Sequence, residues 1–274
     1  MRRSAEAIAL VFVLIFVAAG RGAAKHSRLS ITHISNSGFL LSSGGKNVVI
    51  DALFDNGYGR YAVPSEELKA KIIRGDPPFQ SIDVFLVTHG HGDHFDAPDV
   101  AAFLKHHRET QFVAPQEVCD RLGKEGSPGK QIRGIALPVG ASTEMTVKGI
   151  SLKVVRLKHV LDDTGSRIAN LGYLITMNHA RIIQAGDITI EHDPTLLEKW
   201  RLGEQRIDVL FLQYFDRSEF SARRIRDIIK PAHIVATHIP PADADSESAL
   251  FLGLYPNGTV LKEPLDSIAW DIPR

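Results

Sequence analysis

The residues with the most chemical potential stand together. Thr88-His89-Gly90-His91-Gly92-Asp93-His94-Phe95-Asp96 places three imidazoles and a carboxylate within six residues. Neutral imidazole nitrogen and carboxylate oxygen suit zinc, manganese or iron better than calcium or magnesium. His89 and His91, being alternate residues, can share one ion, while Asp93 and His94 can turn towards a second. Lone histidines are usually solvated loop residues, but His-x-His-x-Asp-His directly behind an apolar run is a metal-site pattern. Three later residues hold equivalent places. His159, Asp187 (behind Gly186) and His238 each follow an apolar run. Side chains at several strand ends converge on one rim of a sandwich, where a rigid scaffold can hold them at coordination distance.

The elements that must do this positioning are legible as alternating strands and helices. The apolar run 82–87 reads as the buried strand that delivers the histidines. Gly90 and Gly92 let the backbone turn just beyond it. Runs 29–34, 38–41 and 47–50 read as a meander, with a turn at 43–46 and Asp51 closing its last strand. Ser65 caps a helix to Arg74, stopped by Gly75, and Asp96 caps another over 97–107. His106 and His107, at the end of that second helix, are surface or capping residues and not ligands. A strand follows at 111–114, then a short helix at 116–122 carrying a packed Cys119. Strands are expected at 132–137, 143–147, 150–157, 171–177, 181–185, 209–212 and 233–237. Helices are expected from Asp193-Pro194 to Gly203, with Leu196, Leu197 and Trp200, and over 221–230, ended by Pro231. Strands interleaved with helices, with no break in composition, argue for a single α/β domain, an αββα sandwich.

The chain has 274 residues, 44% of them hydrophobic, which is enough for one well-buried core. Arg2 and Arg3 precede a thirteen-residue apolar segment, 7–19, followed by small residues up to Ala24. This is the pattern of a secretory signal peptide over 1–24, leaving a mature domain over 25–274 that is secreted or periplasmic. The segment falls short of the ~20 residues that span a bilayer, so an uncleaved anchor is the lesser alternative. The whole chain has 32 basic and 32 acidic residues; the part after Ala24 has 29 and 31, a formal charge of −2. No basic stripe offers to neutralise phosphates, so a small molecule or lipid is the expected partner and nucleic acid is not. No stable membrane span is expected after cleavage. With one cysteine, no internal disulfide can form.

The order His-x-His-x-Asp-His, then His, then Gly-Asp, then Thr-His resembles the signature of the metallo-β-lactamase-fold hydrolases over nearly the whole mature chain. That resemblance implies that His89, His91 and His159 serve one metal. It further implies that Asp93, His94 and His238 serve a second, with Asp187 bridging. Two divalent ions are implied, zinc foremost, with manganese or iron as alternatives. Asn36-Ser37-Gly38-Phe39 and Val49-Ile50-Asp51 also resemble the ascorbate-phosphate lactonase-like and N-acyl-phosphatidylethanolamine phospholipase-like branch. One departure is Gly186-Asp187-Ile188, where Thr commonly follows the Asp; a hydroxyl behind the ligands is thereby in doubt, the metal is not.

A metal pair lowers the pKa of a bound water from 15.7 to about 7 and polarises a carbonyl or phosphoryl oxygen. Hydrolysis of an ester, lactone, amide or phosphodiester is therefore expected, with Asp93 and Asp187 as the catalytic carboxylates. Asp51, at a strand end on the same rim, can buttress a histidine ligand. Gln213-Tyr214-Phe215-Asp216 also follows a strand, so Tyr214 and Asp216 are candidate substrate contacts, and segments 52–81 and 240–255 are candidate lids. Two other classes remain open from sequence. A sulfur dioxygenase-like oxidoreductase would use one iron on the His-x-His pair, the later His and the Asp. A non-catalytic member of the fold would hold no metal. The substrate bond, metal identity and oligomeric state do not follow from these residues.

Overall fold

Burial with a period of two sets the architecture. Along β1 (His26–Ser35), Leu29 and Ile31 are buried, while Arg28 between Ser27 and Leu29 is exposed. The computed structural model describes residues 26–127, 129–162, 167–193 and 200–274. The expected signal peptide and most of the expected helix after Asp193 lie outside them.

Two seven-stranded mixed sheets face each other. The first contains β1, β2 (Gly38–Ser43), β3 (Lys46–Ile50), β4 (Val84–Leu86), β5 (Gln111–Pro115) and β6 (Ile132–Ile135). The second runs from β7 (Ser142–Val147) through β8 (Ile150–Leu157), β9 (Asn170–Met177), β10 (Ala180–Gln184), β11 (Val209–Gln213) and β12 (His233–Thr237) to β13 (Gly258–Thr259). A last strand, β14 (Ser267–Pro273), returns to pair antiparallel with β1 at the edge of the first sheet. Leu41, Val48, Ile50 and Leu86 of one sheet pack against Leu152, Tyr173, Ile182 and Val235 of the other. Phe39 and Phe211 meet across this seam with ring centroids 4.6 Å apart.

Helices cover both outer faces. α1 (Glu66–Arg74), α2 (Ala97–His106) and α3 (Gln116–Lys124) pack Leu68, Ile72, Val100, Phe103 and Val118 onto the first sheet. Ser65 and Asp96 accept from the backbone N–H groups of Leu68 and Asp99, capping α1 and α2 as their sequence predicts. His107 Nε2 lies 3.2 Å from Ile72 O and so closes the end of α1. Cys119 is buried in this layer, and burial pushes its thiol up to about 12. On the second sheet lie Trp200, Ala222 of α4 (Glu219–Arg224) and Phe251 of α5 (Ala244–Leu254). The αββα arrangement expected from sequence is the one observed.

Strand direction places the site. β3, β4 and β5 run parallel, and so do β10, β11 and β12. β8 and β10 are both antiparallel to the β9 between them, so they share a direction too. The carboxyl ends of β8, β10 and β12 therefore open on the same edge of the second sheet. The amino end of β9, at Asn170, arrives there from the opposite direction.

Three local expectations change. The helix expected over 221–230 is α4 followed by a π-helical turn, Ile225–Ile229, with Ser218 as its cap. Segment 240–255, a candidate lid, is chiefly the helix α5. β14 went unassigned because it is a partly exposed edge strand that ends in proline.

The hydroxyl of Tyr173 in β9 donates to Val87 O at 2.8 Å, tying the second sheet to the strand that carries the histidine motif. Tyr173→Phe leaves a buried carbonyl short of its donor. Denaturant titration should register a loss of about 1–3 kcal/mol, and an unchanged midpoint would show that the tie carries no stability.

Candidate metal centre

β4 delivers the motif, and its neighbours shape it. Thr88 donates its backbone N–H and its hydroxyl to the two carboxylate oxygens of Asp51, at 2.8 and 2.7 Å. Asp51 N in turn donates to Leu86 O, and Leu171 N of β9 donates to Thr88 O. His94 N and Phe95 N both donate to His91 O, folding 91–95 into one tight turn. That turn is pinned from outside, because Gly92 N donates to the hydroxyl of Tyr58 at 2.9 Å.

Asp187 owes its place to the residue before it. Gly186 has φ of +65°, and a Cβ there would lie 2.0 Å from Asn170 Oδ1. Only glycine fits both the backbone and the space. Asn170 Oδ1 then accepts from Asp187 N, while Asn170 Nδ2 and Gln213 Nε2 donate to Ala185 O and Gly186 O. At the end of β12, His238 has φ of +62° and packs its ring nitrogen 2.8 Å from Ser37 Oγ. His159 follows β8, where Val160 N donates to Asp187 O.

All seven predicted side chains meet. They form two groups, His89–His91–His159 and Asp93–His94–Asp187–His238, and in each the potential ligand atoms lie within 4.8 Å of one another. His89 Nε2 is 3.1 Å from His91 Nδ1, and His94 Nε2 is 3.1 Å from His238 Nε2. Asp187 connects the groups. Its Oδ1 is 3.3 and 3.2 Å from the Nε2 atoms of His94 and His238. Its Oδ2 is 3.7 and 3.9 Å from those of His159 and His89.

These spacings fit metal ions. Ligand atoms about 2.0–2.1 Å from a tetrahedral ion stand about 3.3 Å apart. His159 Nε2 and Asp187 Oδ1 are also buried with no hydrogen-bond partner, a costly condition that a cation would relieve. Zinc, manganese and iron all suit imidazole and carboxylate donors, and the donor set does not choose among them.

The electrostatics agree. Burial, reinforced by neighbouring imidazoles, holds His89 well below its ordinary range and lowers His91 to about 4. Burial likewise lowers His238 to about 4, against the pull of Asp187. Burial would raise Asp187, but His238 and His94 outweigh it and hold the carboxyl well below its usual range. Neutral imidazoles beside an ionised carboxylate are the states that ligation requires. His94 is the exception. Burial acts to lower it, but Asp187 and Asp51 on its two sides outweigh that and raise it well above 6.5. Its proton supplies the positive charge for which the carboxylates call.

Asp51 is fully buried, and its Oδ2 lies 2.9 Å from His94 Nδ1, the contact expected of a residue that orients a ligand. Tyr214 lines the cleft above the two groups and receives a hydrogen bond from Arg60. Asp216 does not line that cleft. It is buried, with Oδ2 accepting from Ile190 N at 2.8 Å, so it braces the loop after Asp187 instead of facing substrate. Sequence reasoning passed over Asn170 and Arg60. Asn170 was legible only as a polar residue opening an apolar strand, and Arg60 left no signal within its irregular segment. Asn36 Nδ2, in a motif already singled out, lies 3.3 Å from Asp93 Oδ2.

The beta-lactamase superfamily domain is matched by residues 46–246 of this chain. The chain belongs to that superfamily. It is 30% identical to a UPF0173 metal-dependent hydrolase of Thermococcus onnurineus over 212 residues, covering 74% of this chain and 83% of the relative. It is 26% identical to the UPF0173 metal-dependent hydrolase of Thermococcus kodakarensis over 227 residues, 80% of this chain and 89% of that one. Among solved structures, Igni18, a metallo hydrolase of Ignicoccus hospitalis, superposes with a TM-score of 0.59 at 18% identity, over 89% of this chain and 98% of its own. The fold is the metallo-β-lactamase fold, as the motif order implied.

The lowered histidines fix the acid behaviour of the metal-free protein. His89, His91 and His238 have folded-state values below 6.5, so as pH falls from 6.5 towards 4 the unfolded chain takes up protons that the fold refuses. Stability is lost across that window. His94 runs the other way: its contribution is fully present and constant below 6.5 and is lost only as pH rises through its raised value, so it leaves the loss across this window unchanged. Chelator-treated protein should therefore melt at a lower temperature at pH 5 than at pH 7. Equal melting temperatures would contradict buried neutral imidazoles.

Proposed function

We propose that this chain is a binuclear metal-dependent hydrolase, with His89, His91 and His159 holding one ion, Asp93, His94 and His238 a second, and Asp187 shared between them. The observation that carries this is the division of Asp187, whose two oxygens face different histidine groups at 3.2–3.9 Å. A one-iron oxidoreductase would need only the first group and Asp187, and would leave Asp93, His94 and His238 as a buried polar cluster without purpose. When bound, such a pair activates water at neutral pH and polarises the substrate oxygen.

The chain's own residues do the rest. Asp93, steadied by Asn36 Nδ2, orients the attacking water and is placed to take its proton. Asp51, fixed by Thr88, orients the His94 ring. Tyr214 lines the cleft, where its hydroxyl can donate to a substrate oxygen. Asn36, Ser37 and Asp51 all touch site residues. This supports the finer assignment to the lactonase-like and phospholipase-like branch, in which the bond is a lactone, ester or phosphodiester. Export, read from the amino-terminal pattern, favours a small extracytoplasmic molecule or a lipid.

Metal analysis of the purified protein should return two ions per chain, and a panel of chromogenic esters, lactones and bis(4-nitrophenyl) phosphate should reveal turnover. His91→Ala and Asp187→Ala should each lower kcat/KM by more than about 100-fold, the upper end of what altering a residue behind a ligand costs. Both should remain folded by circular dichroism. Full activity in either variant would reject the assignment.

A further inference from the structure

The cleft that opens on the two ligand groups has a volume of about 300 Å³. A larger hollow of about 560 Å³ lies between segments 239–246 and 260–264, but the smaller one is where His91, His159 and Asp187 form the floor. Its walls differ in character from its floor. Tyr61, Leu161, Tyr214 and Phe215 supply apolar surface, and of the lining residues Leu161 is 70% exposed and Tyr58 56%. Large apolar side chains left open at the rim of a polar floor mark where an apolar ligand is expected.

One cation stands in this wall. Arg60 is exposed, and among the described residues no carboxylate lies within ion-pair distance of it. A neighbouring arginine differs: Arg217, whose guanidinium lies over the Tyr214 ring, is matched with Glu247. The guanidinium of Arg60 donates to the Tyr214 oxygen. That leaves its remaining N–H groups, and the hydroxyl hydrogen of Tyr214, to be offered to a ligand. A guanidinium fork beside a phenol is suited to a planar or tetrahedral oxyanion.

We infer that the cleft selects an amphipathic oxyanion: a substrate with an apolar chain or ring lying against Tyr61, Leu161 and Phe215, and a carboxylate or phosphate held by Arg60 with Tyr214. The reacting bond then lies between the two, over the metal centre. This position for the bond rests on the proposed hydrolase activity; the oxyanion contact does not.

Two experiments separate the claims. In the first, hexanoate, hexyl phosphate and hexanamide are titrated calorimetrically into the protein as purified. One or both anions should bind at least roughly tenfold more tightly than the amide, as expected of hydrogen bonds to a charged group, and the stronger of the two identifies the oxyanion. Arg60→Gln should abolish the difference and Arg60→Lys should restore part of it, with the melting temperature unchanged in both. If the anions bind the Arg60→Gln protein as well as the original, they are captured elsewhere and the inference fails; equal binding of anions and amide by the original protein also defeats it. In the second, hydrolysis of 4-nitrophenyl hydrogen adipate is compared with that of 4-nitrophenyl hexanoate. The preference for the anionic ester should fall in Arg60→Gln through KM and not through kcat. An unaltered preference would count against the inference. Failure to hydrolyse either ester would count against the hydrolase assignment as applied to esters, and the calorimetric comparison would still decide the oxyanion contact.

Discussion

The whole structure answers to one constraint: a carboxylate shared between two sets of imidazoles, inside the rim of a sandwich. Asp187 can take that position only because Gly186 turns the chain through a conformation closed to other residues, with Asn170 filling the space a side chain would need. Electron-rich atoms 3–4 Å apart and shielded from water repel one another, and burial strengthens the repulsion. Such a cluster survives folding only if the scaffold over-determines it. Two seven-stranded sheets with helices on both faces supply that rigidity.

The strain is visible in the backbone. Asp51 and His238 both sit at positive φ, at +45° and +62°, which is uncommon for residues carrying a Cβ. Each is held by specific hydrogen bonds: Asp51 by Thr88 and His94, His238 by Ser37. Core packing between β2, β3 and β4 holds one set and packing between β10, β11 and β12 the other. The energy that bends these two residues comes from apolar burial some distance away.

How much of this could be read in the sequence depended on whether a residue's role was local. The seven ligand candidates were legible because each obeys a local rule, a polar residue in the turn just beyond an apolar strand, and parallel strands bring such positions to one edge. Asp51 was legible for the same reason. Asp216 obeyed the same rule and misled, because the turn after Asp187 draws its carboxylate to Ile190 N instead of into the cleft. β14 could not be recognised locally, since its partner β1 lies more than two hundred residues earlier. Arg60 was invisible because nothing in 52–64 has a period, and its position is fixed by turns within that loop and by Tyr58 reaching Gly92.

The two halves of the site therefore have different origins. Ligands come from strand ends, whose geometry is fixed by sheet register and cannot drift by an ångström without disturbing the core. The cleft wall comes mainly from the loop over 52–64 and the residues just after β11, which can change side chains while the register stays intact. Activation of water can thus remain constant while the bound group varies, as expected where a rigid frame carries the chemistry and loops carry the selection. Tyr58 joins the halves, since its hydroxyl receives Gly92 N from the turn between His91 and Asp93 while its ring stands at the mouth of the cleft. A ligand that moves this loop acts on the ligand turn through that bond and through Asn56 N, which donates to Gly92 O. Selection and chemistry are separable in this fold, but only up to the point where Asn56 and Tyr58 couple them.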